Sequence, residues 1–280
     1  MFERVAIVGV GLIGGSLGLE IRKKKLAKQV IGYGRSRGNL NAALKIGAID
    51  RAAANLEGAV FGADLVLLCG PVSSIIDQLK GLSGMVHPGA LVMDVGSTKR
   101  EIVRASRFLP SGVSFVAAHP MAGTEQSGAS HARLGLFQKK TCLITPVRST
   151  SRKALNKAVK LWKELGCKVT LLSPERHDQT LAATSHLPQM AAYALMAPLS
   201  SLPLSQLKLF SGSGLKDTTR IAASPASMWR DIVLTNAYLP PLLNRYAEEI
   251  KKISTAITRR KGGELEKIFS RASRLRKKLG

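Results

Sequence analysis

A glycine-rich turn near the amino terminus is the feature that most restricts the fold of this chain. Gly9, Gly11 and Gly14 follow an apolar run at residues 5–9, and a helix-like stretch at residues 14–24 comes after them. In a strand–turn–helix unit, such glycines allow a tight turn, close approach of a pyrophosphate, and close packing of the helix on the sheet. The turn therefore predicts a Rossmann-type dinucleotide-binding domain whose cofactor-binding residues include Gly9, Gly11, Leu12, Ile13 and Gly14.

Short apolar runs alternate with helix-length segments over the first 170 residues. The strand-like runs occupy residues 5–9, 30–33, 65–69, 91–95, 114–118, 142–145 and 168–172, and the helical stretches include 14–24, 40–44, 73–82 and 152–165. This alternation predicts an α/β fold, in which a doubly wound, mostly parallel sheet is covered by helices on both faces.

The pattern changes after Ser173-Pro174. Helical stretches with no convincing strand follow, at residues 175–197, 206–209, 218–222, 229–257 and 264–279. Pro240-Pro241 should start or kink a helix within the fourth of these stretches. We therefore expect a Rossmann domain at residues 1–173 and an all-helical domain at residues 174–280, with no regulatory domain after the helical tail.

The end of the second predicted strand bears on which nicotinamide dinucleotide binds. An Asp or Glu at this point would bind the ribose 2′-hydroxyl of NAD, but the chain has Gly34, Arg35, Ser36 and Arg37 instead. Two guanidinium groups beside a hydroxyl suit a phosphate monoester, so NADP is favoured and NAD is the alternative. Gly70 and Pro71, after the strand at 65–69, join the predicted cofactor-binding residues.

Two segments follow strands whose carboxyl ends should meet at the ligand-binding edge of the sheet. Residues 94–99 read Asp-Val-Gly-Ser-Thr-Lys and contain Ser97, and residues 119–123 read His-Pro-Met-Ala-Gly and begin with His119. A neutral imidazole at this edge can take the proton of a substrate hydroxyl while hydride leaves the same carbon. The alternative is a His-Pro turn with a purely structural role.

Polar clusters on the otherwise apolar helices are candidates for binding an anionic substrate, because Arg binds carboxylates in a bidentate manner. Each cluster also has a plain structural alternative. His177 and Asp178 would form a surface pair, His186 would be a core residue, and Asp217 with Arg220 would form a local ion pair. The candidate substrate-binding residues are Arg220, His177, Asp178, His186, Gln189 and Trp229.

Together these motifs resemble the prephenate/arogenate (cyclohexadienyl) dehydrogenase family of tyrosine biosynthesis. The resemblance runs from the first strand to Asn236 and includes five segments in the family's order: the Val8-Gly9 loop and residues 94–99, 119–123, 185–188 and 217–220. It implies oxidative decarboxylation of prephenate or arogenate to 4-hydroxyphenylpyruvate or tyrosine, with hydride transfer to NAD(P), by a homodimer paired through the helical domain. The alternative is another two-domain dehydrogenase, such as a β-hydroxyacid dehydrogenase, with Lys216 as its candidate lysine.

The resemblance also implies residue roles. His119 matches the catalytic histidine, Ser97 the serine that orients the substrate hydroxyl against the nicotinamide, and Arg220 the arginine that binds the ring carboxylate. His177 and Asp178 match positions that line the pocket, and Trp229 matches a substrate-side aromatic. Gln189 departs from the family, since many relatives have a second histidine there, and this leaves the choice between prephenate and arogenate open.

The net charge of +24 raises the question of nucleic-acid binding. The basic residues are spread along the chain, although residues 248–280 hold eleven of them against four acidic residues. Aromatic residues make up only 5% of the chain, which does not favour a nucleic-acid surface over solvated helix faces or steering of an anionic substrate. A cofactor-dependent nucleic-acid or regulatory binding protein is therefore the weakest of the three hypotheses.

Cysteine usage and hydropathy bear on the compartment. Cys69, Cys142 and Cys167 are far apart, with neither a Cys-x-x-Cys pair nor the histidine spacing of zinc sites, so no metal site is expected. No uninterrupted apolar run reaches the roughly 18 residues that a membrane span needs. Secretion is also not expected, because the first apolar stretch is broken by glycines. These features predict a cytoplasmic protein with reduced thiols.

Overall fold

The computed structural model describes residues 2–123 and 126–279. Its strands are β1 (Phe2–Val8), β2 (Ala27–Tyr33), β3 (Arg51–Ala52), β4 (Leu65–Leu68), β5 (Leu91–Asp94), β6 (Ser114–Pro120), β7 (Thr141–Thr145) and β8 (Lys168–Leu171). Its helices in the first half are α1 (Leu12–Lys23), α2 (Arg37–Lys45), α3 (Leu56–Val60), α4 (Val72–Gly81), α5 (Arg100–Ala105) and α6 (Arg152–Glu164). Those in the second half are α7 (Pro174–Leu181), α8 (Leu187–Met196), α9 (Leu204–Phe210), α10 (Ser213–Thr219), α11 (Ala226–Leu234), α12 (Leu239–Thr258) and α13 (Gly262–Lys278).

The strands form one eight-stranded sheet in the order β3-β2-β1-β4-β5-β6-β7-β8. Neighbouring strands are parallel except β6 and β7, which are antiparallel. The chain runs outward from β1 in one direction through β3, then returns to β4 and runs in the other. The crevice between β1 and β4 is therefore the switch point at which such sheets bind ligands.

Two apolar clusters cover the two faces of the sheet, as its doubly wound topology requires. Successive residues of β1 alternate between them: Val5 and Ile7 belong to one cluster, and Ala6 and Val8 to the other. All four side chains are fully buried, which explains why this strand is continuously apolar in the sequence. The predicted fold class is confirmed.

The short elements are the ones that the sequence pattern missed. All seven predicted strands are present within a few residues of their predicted ends, but β3 has only two residues and was not predicted. The helices α3 and α5, with five and six residues, were also missed. Elements of this length carry too few residues for a periodicity to be visible.

The part of the chain after β8 is helical in the residues that the structure describes. A π-helical turn at Ala182–His186 separates α7 from α8, where a single helical stretch was predicted. The predicted effect of Pro240-Pro241 is confirmed, because α12 begins at Leu239 with proline in its first turn. Within the described residues, 2–123 and 126–279, no helix is both long and apolar enough to cross a membrane.

The chain divides into two compact units, Met1–Asn236 and Ala237–Gly280. The first unit contains the sheet and helices α1–α11, and the second contains α12 and α13. The change from mixed to helical structure falls between Leu171 and Pro174, close to the predicted domain boundary. A boundary between residues 173 and 174 stays a prediction, since the compact units divide at a later point.

Candidate active site

The glycine-rich turn leaves an open space at the start of α1. Gly9 has a positive φ of 97°, and a Cβ on it would lie 2.7 Å from the backbone nitrogen of Gly70. A Cβ on Gly14 would lie 2.4 Å from the carbonyl oxygen of Gly9, whereas a Cβ on Gly11 would meet no atom within 4 Å. The turn's own packing therefore requires glycine at 9 and 14. The space at Gly11 lies at the N-cap of α1, and the amino terminus of a helix suits a phosphate.

The other predicted cofactor residues border this turn or end the neighbouring strand. Pro71 is the N-cap of α4, and Gly70 lies against Gly9. Ser36 is the N-cap of α2, because its Oγ accepts a hydrogen bond of 3.2 Å from the backbone N–H of Asn39. The side chains of Arg35 and Arg37 are exposed. Ser36 therefore has a local structural role as well as its predicted place beside a phosphate.

The sequence predicted that His119 follows a strand, but in the structure it lies within one. It is the next-to-last residue of β6, which extends further than expected because its end pairs with the antiparallel strand β7, with His119 opposite Leu143. The imidazole is half-buried. Its Nδ1 lies 2.9 Å from Nε2 of His177 on α7, and the two ring centroids are 5.1 Å apart.

His177 continues this chain of hydrogen bonds to a buried carboxylate. Nδ1 of His177 lies 2.8 Å from Oδ1 of Asp178. The carboxylate also accepts the backbone N–H groups of Lys99, at 2.8 Å, and Arg100, at 2.9 Å. We call the three side chains of His119, His177 and Asp178 the relay.

The donors around Asp178 determine the tautomers of both histidines. Asp178 accepts from backbone N–H groups on both of its oxygens, so Nδ1 of His177 must carry the proton that it donates. In the neutral ring, Nε2 of His177 is then an acceptor, and Nδ1 of His119 must donate to it. This assignment, inferred from the network, leaves Nε2 of His119 unprotonated and able to accept a proton from a ligand.

Burial keeps both histidines neutral. It lowers the pKa of His119 well below its usual value of 6.5, and the neighbouring His177 and Lys99 lower it further. Burial also lowers the pKa of His177, although the hydrogen bond to Asp178 opposes the shift. Near neutral pH the relay therefore contains two neutral imidazoles.

A fully buried ion pair connects the two motifs that the sequence had placed at the sheet edge. The Lys99 ammonium contacts the Asp94 carboxylate and donates a hydrogen bond of 2.9 Å to the carbonyl oxygen of Ala118. Asp94 also accepts the backbone N–H groups of Gly96, at 2.8 Å, and Ala118, at 3.3 Å. Burial raises the pKa of Asp94, and the Lys99 charge opposes that shift. These bonds hold the segment with Ser97 against β6, the strand that carries His119.

The loop that carries Ser97 is also held from α11. Ser97 is half-buried, and Oγ1 of the next residue, Thr98, lies 2.8 Å from Oγ1 of Thr235. Asp231 of α11 contacts the hydroxyl of Ser73 in the first turn of α4, and this hydrogen bond lowers the pKa of Asp231. Helix α11 and the residue that follows it, Thr235, therefore hold the loop that carries Ser97 and the first turn of α4.

His186 and Trp229 pack together beside the relay. Their rings meet edge to face, with centroids 5.8 Å apart. The amide nitrogen of Asn236 lies 3.0 Å from Nδ1 of His186 and donates a 2.8 Å bond to the carbonyl oxygen of Asp178. Burial lowers the pKa of His186 to about 4. The indole N–H of Trp229 is buried and has no acceptor in the described part of the chain.

Gln189 supports the turn that follows Arg220. Its buried side chain donates a hydrogen bond of 2.8 Å to the carbonyl oxygen of Ile221. Arg220 is exposed and begins the short helical turn Arg220–Ala223. Gln189 therefore contacts the backbone that positions the predicted carboxylate-binding arginine.

The structure changes three of the interpretations made from the sequence. His177 and Asp178 are buried, so the alternative of a surface pair is wrong. Lys216 is exposed on α10, and the buried lysine at the sheet edge is Lys99, whose ammonium is bonded to protein groups. Asp94, Lys99 and Asn236 support the site, although the sequence pattern predicts no role for them. For Asp94 and Lys99, the available signal was a pair of opposite charges at the end of an apolar strand.

Two sequence families match the chain over consecutive segments. Residues 17–171 match the family described as prephenate dehydrogenase, nucleotide-binding domain, and residues 173–271 match prephenate dehydrogenase, dimerization domain. Among relatives, the chain is similar to prephenate dehydrogenase of Bacillus subtilis, with 36% identity over 97% of this chain and 75% of the relative. It is also similar to cyclohexadienyl dehydrogenase of Zymomonas mobilis, with 32% identity over 99% of this chain and 96% of the relative.

A solved structure agrees over the whole chain. Prephenate dehydrogenase from Aquifex aeolicus in complex with hydroxyphenyl propionate and NAD⁺ superposes with a TM-score of 0.90 at 31% identity, covering 100% of this chain and 99% of that one. The likeness therefore extends through both the sheet and the helical part.

Proposed function

This chain belongs to the prephenate dehydrogenase family, and we propose that it converts prephenate to 4-hydroxyphenylpyruvate by oxidative decarboxylation in tyrosine biosynthesis. The observation that carries the proposal is the relay, which presents an unprotonated Nε2 of His119 at the ligand-binding edge of the sheet. A different two-domain dehydrogenase is not favoured, because the exposed Lys216 does not provide the lysine that such a reaction needs.

The residues of the glycine-rich turn fit a nicotinamide dinucleotide. Gly9 and Gly14 keep the turn tight, and the open space at Gly11 leaves room for the pyrophosphate at the start of α1. Gly70 and Pro71 border the same turn. When bound, the dinucleotide supplies the acceptor for the hydride that leaves the substrate.

His119 moves the proton in the proposed reaction. Nε2 takes the proton of the 4-hydroxyl as hydride leaves the same carbon, and Ser97 orients that hydroxyl. The resulting ring carbonyl accepts the electron pair released when the ring carboxylate leaves as carbon dioxide. The ring becomes aromatic, and His119 returns the proton to the phenolate oxygen. His177 and Asp178 act as positioning residues, because they hold His119 in the tautomer that accepts.

Arg220 is proposed to bind the ring carboxylate, with Gln189 holding its turn through Ile221. His186 and Trp229 form the neighbouring wall. Because Gln189 bonds to the backbone, we propose that it acts on the substrate through Arg220. Arogenate, which is also a cyclohexadienyl compound, is the second candidate substrate, since the Zymomonas mobilis relative is a cyclohexadienyl dehydrogenase.

A two-by-two steady-state assay tests the function: prephenate and arogenate, each with NAD and with NADP. We expect turnover of prephenate that is lost in His119→Asn and strongly reduced in Ser97→Ala. Absence of turnover with both substrates would disprove the proposal. Turnover of arogenate alone would keep the reaction type and replace the substrate.

NADP is the proposed preferred cofactor. The carboxylate that would bind the 2′-hydroxyl of NAD is missing after β2, and the exposed Arg35 and Arg37 flank Ser36 there. In the same assay, Arg35→Ala/Arg37→Ala should raise the KM for NADP more than the KM for NAD. A kcat/KM about tenfold higher with NAD than with NADP, a difference of about 1.4 kcal/mol, would overturn this preference.

We also propose a cytoplasmic homodimer. The three cysteines are free thiols, and the carboxyl-terminal segment matches a dimerization domain. Within the unit Ala237–Gly280, α12 and α13 expose apolar side chains that a partner would cover: Ile250, Ile257, Phe269 and Leu275. Light scattering on the eluting protein should give twice the chain mass of 29.9 kDa, and a monomer at assay concentration would contradict the proposal.

A further inference from the structure

A cavity of about 590 Å³ lies beside α5, apart from the glycine-rich turn and the relay. Its volume is within the range of small-molecule binding sites, roughly 300–1,000 Å³. Two of its arginines, Arg100 and Arg104, belong to α5, and a third, Arg148, follows β7. Glu101 and Glu175 also line it. The cavity is built from three separate segments of the chain that converge on one concave surface.

Two arginines of this cavity, Arg104 and Arg148, are not neutralised by its carboxylates. In the described residues, the guanidinium groups of Arg104 and Arg148 form neither an ion pair nor a hydrogen bond with protein groups, and the carboxylates of Glu101 and Glu175 do not pair with them. Arg104 and Arg148 therefore present two guanidinium groups, from different segments, to one concave surface. A guanidinium is a planar fork that fits a carboxylate or phosphate in a bidentate manner.

We propose that this cavity is an effector site for a small organic oxyanion, a molecule bearing a carboxylate or phosphate group. The guanidinium groups of Arg104 and Arg148, which come from different segments, would each donate bidentate hydrogen bonds to the oxyanion. Val103, Pro146 and Val147 give the cavity an apolar wall for the rest of the molecule. The mixture of a few polar groups with apolar surface is typical of small-molecule sites.

The cavity is connected to the relay through the backbone of α5. The N–H of Arg100, a residue of the cavity wall, donates to Oδ2 of Asp178 at 2.9 Å. A ligand that draws α5 toward Arg148 would therefore change the hydrogen bonds of the carboxylate that orients His177. We expect occupancy of the cavity to change kcat more than the KM for prephenate, because the relay acts on the chemical step.

Calorimetric titration with sodium phosphate and with sodium malonate tests the site, with sodium chloride at equal ionic strength as the reference. The full chain is first saturated with NADP, which occupies the dinucleotide site and keeps phosphate from binding there. We expect saturable binding of at least one oxyanion and binding about tenfold weaker in Arg104→Gln/Arg148→Gln, since a hydrogen bond to a charged group has about this effect. Arg259→Gln/Arg274→Gln is the matched control, because it removes the same charge from exposed positions in α12–α13.

The two oxyanions distinguish the chemistry of the ligand, and either one supports the site. Equal binding by Arg104→Gln/Arg148→Gln and the unaltered chain, or no saturable binding of either oxyanion, would overturn the proposal. If the double variant loses NADP binding, Arg148→Gln alone replaces it, because Arg148 lies in the segment after β7 and outside α5. Binding without any change in kcat would exclude the effector role. Calorimetry measures binding without turnover. A failure of the proposed reaction would therefore not change the conclusion about the oxyanion site.

Discussion

The relay and the turn that carries Arg220 differ in how firmly the protein holds them. Both oxygens of Asp178 accept backbone N–H groups, and its carbonyl accepts from Asn236. His177 and Asp178 are fully buried, whereas Arg220 is exposed. The group proposed to move a proton is therefore fixed by several buried bonds at once, while the group proposed to recognise the substrate lies on an exposed turn. This difference predicts that mutations in the relay change kcat and that mutations in the turn change KM.

The largest expected effect tests the relay at its reacting end. His119→Asn removes the base, and we expect kcat to fall on the order of 10³-fold, the usual contribution of a general base. Steady-state assays with prephenate and NADP measure this loss. His87→Asn, at an exposed histidine, is the control and should leave kcat unchanged. A His119→Asn enzyme with nearly normal kcat would remove the relay from the mechanism.

The next effect tests the buried end of the relay. In Asp178→Asn an amide oxygen and an NH₂ group face two backbone donors and His177, so at least one donor loses its acceptor. We expect kcat to fall about 10²-fold and unfolding to become easier by roughly 1–3 kcal/mol. A merely structural residue would lower stability and leave the histidine tautomers unchanged. Nitrogen NMR of His119 should show the proton moving from Nδ1, and an unchanged tautomer would contradict the positioning role.

A smaller effect is expected in the exposed turn. Arg220→Ala should raise the KM for prephenate about 10- to 100-fold and change kcat less, because the ring carboxylate is bound in both ground and transition states. Arg220→Lys should recover part of the affinity, since lysine keeps the charge without the fork. A large loss of kcat at unchanged KM would show that Arg220 acts on the chemical step and not on substrate binding.

The last prediction concerns the dependence of activity and stability on pH, where each single histidine contributes gradually. The pKa of His119 is well below 6.5 in the folded chain, so the acid limb of kcat/KM should lie below pH 6.5. The pKa values of His119, His177 and His186 are all lowered by burial, that of His186 to about 4. As pH falls from about 6.5 toward 4, the unfolded chain takes up protons that the folded chain excludes, so stability falls by at most about 1.4 kcal/mol per pH unit for each histidine.

Urea unfolding at pH 7, 5.5 and 4.5 measures this dependence. His186→Gln should make the fall in stability with pH less steep. An acid limb centred at or above pH 6.5 would mean that His119 is not the group that must be neutral.

Much of the fold follows from local features of the sequence. The apolar runs predicted the seven longer strands, and Pro240-Pro241 marked the start of α12. The pattern failed where elements are short, as in β3, or where a π turn interrupts a helical run, as at Ala182–His186. These features depend on contacts with distant residues, which periodicity within one segment cannot reveal.

Most residues of the candidate site were predictable from the sequence, but the hydrogen bonds between them were not. The motifs at residues 94–99 and 119–123 were identified, because strand ends of a parallel sheet meet at one edge. The bonds among them were not predictable, since Lys99 and Asp178 are 79 residues apart in sequence. His177 and Asp178 were expected to line a substrate pocket, and we now propose instead that they position His119.

Local sequence features are enough to specify a doubly wound sheet with a dinucleotide turn, because glycine spacing and apolar alternation act over neighbouring residues. The sequence also indicated His119 and Ser97, through their places after strands. The nitrogen of His119 that is free to accept a proton is identified only once the chain is folded. That depends on Asp178, whose two oxygens are occupied by the backbone N–H groups of Lys99 and Arg100, which follow β5 and lie far from Asp178 in sequence. Proton positions follow from the complete set of donors and acceptors around a group, and folding assembles that set.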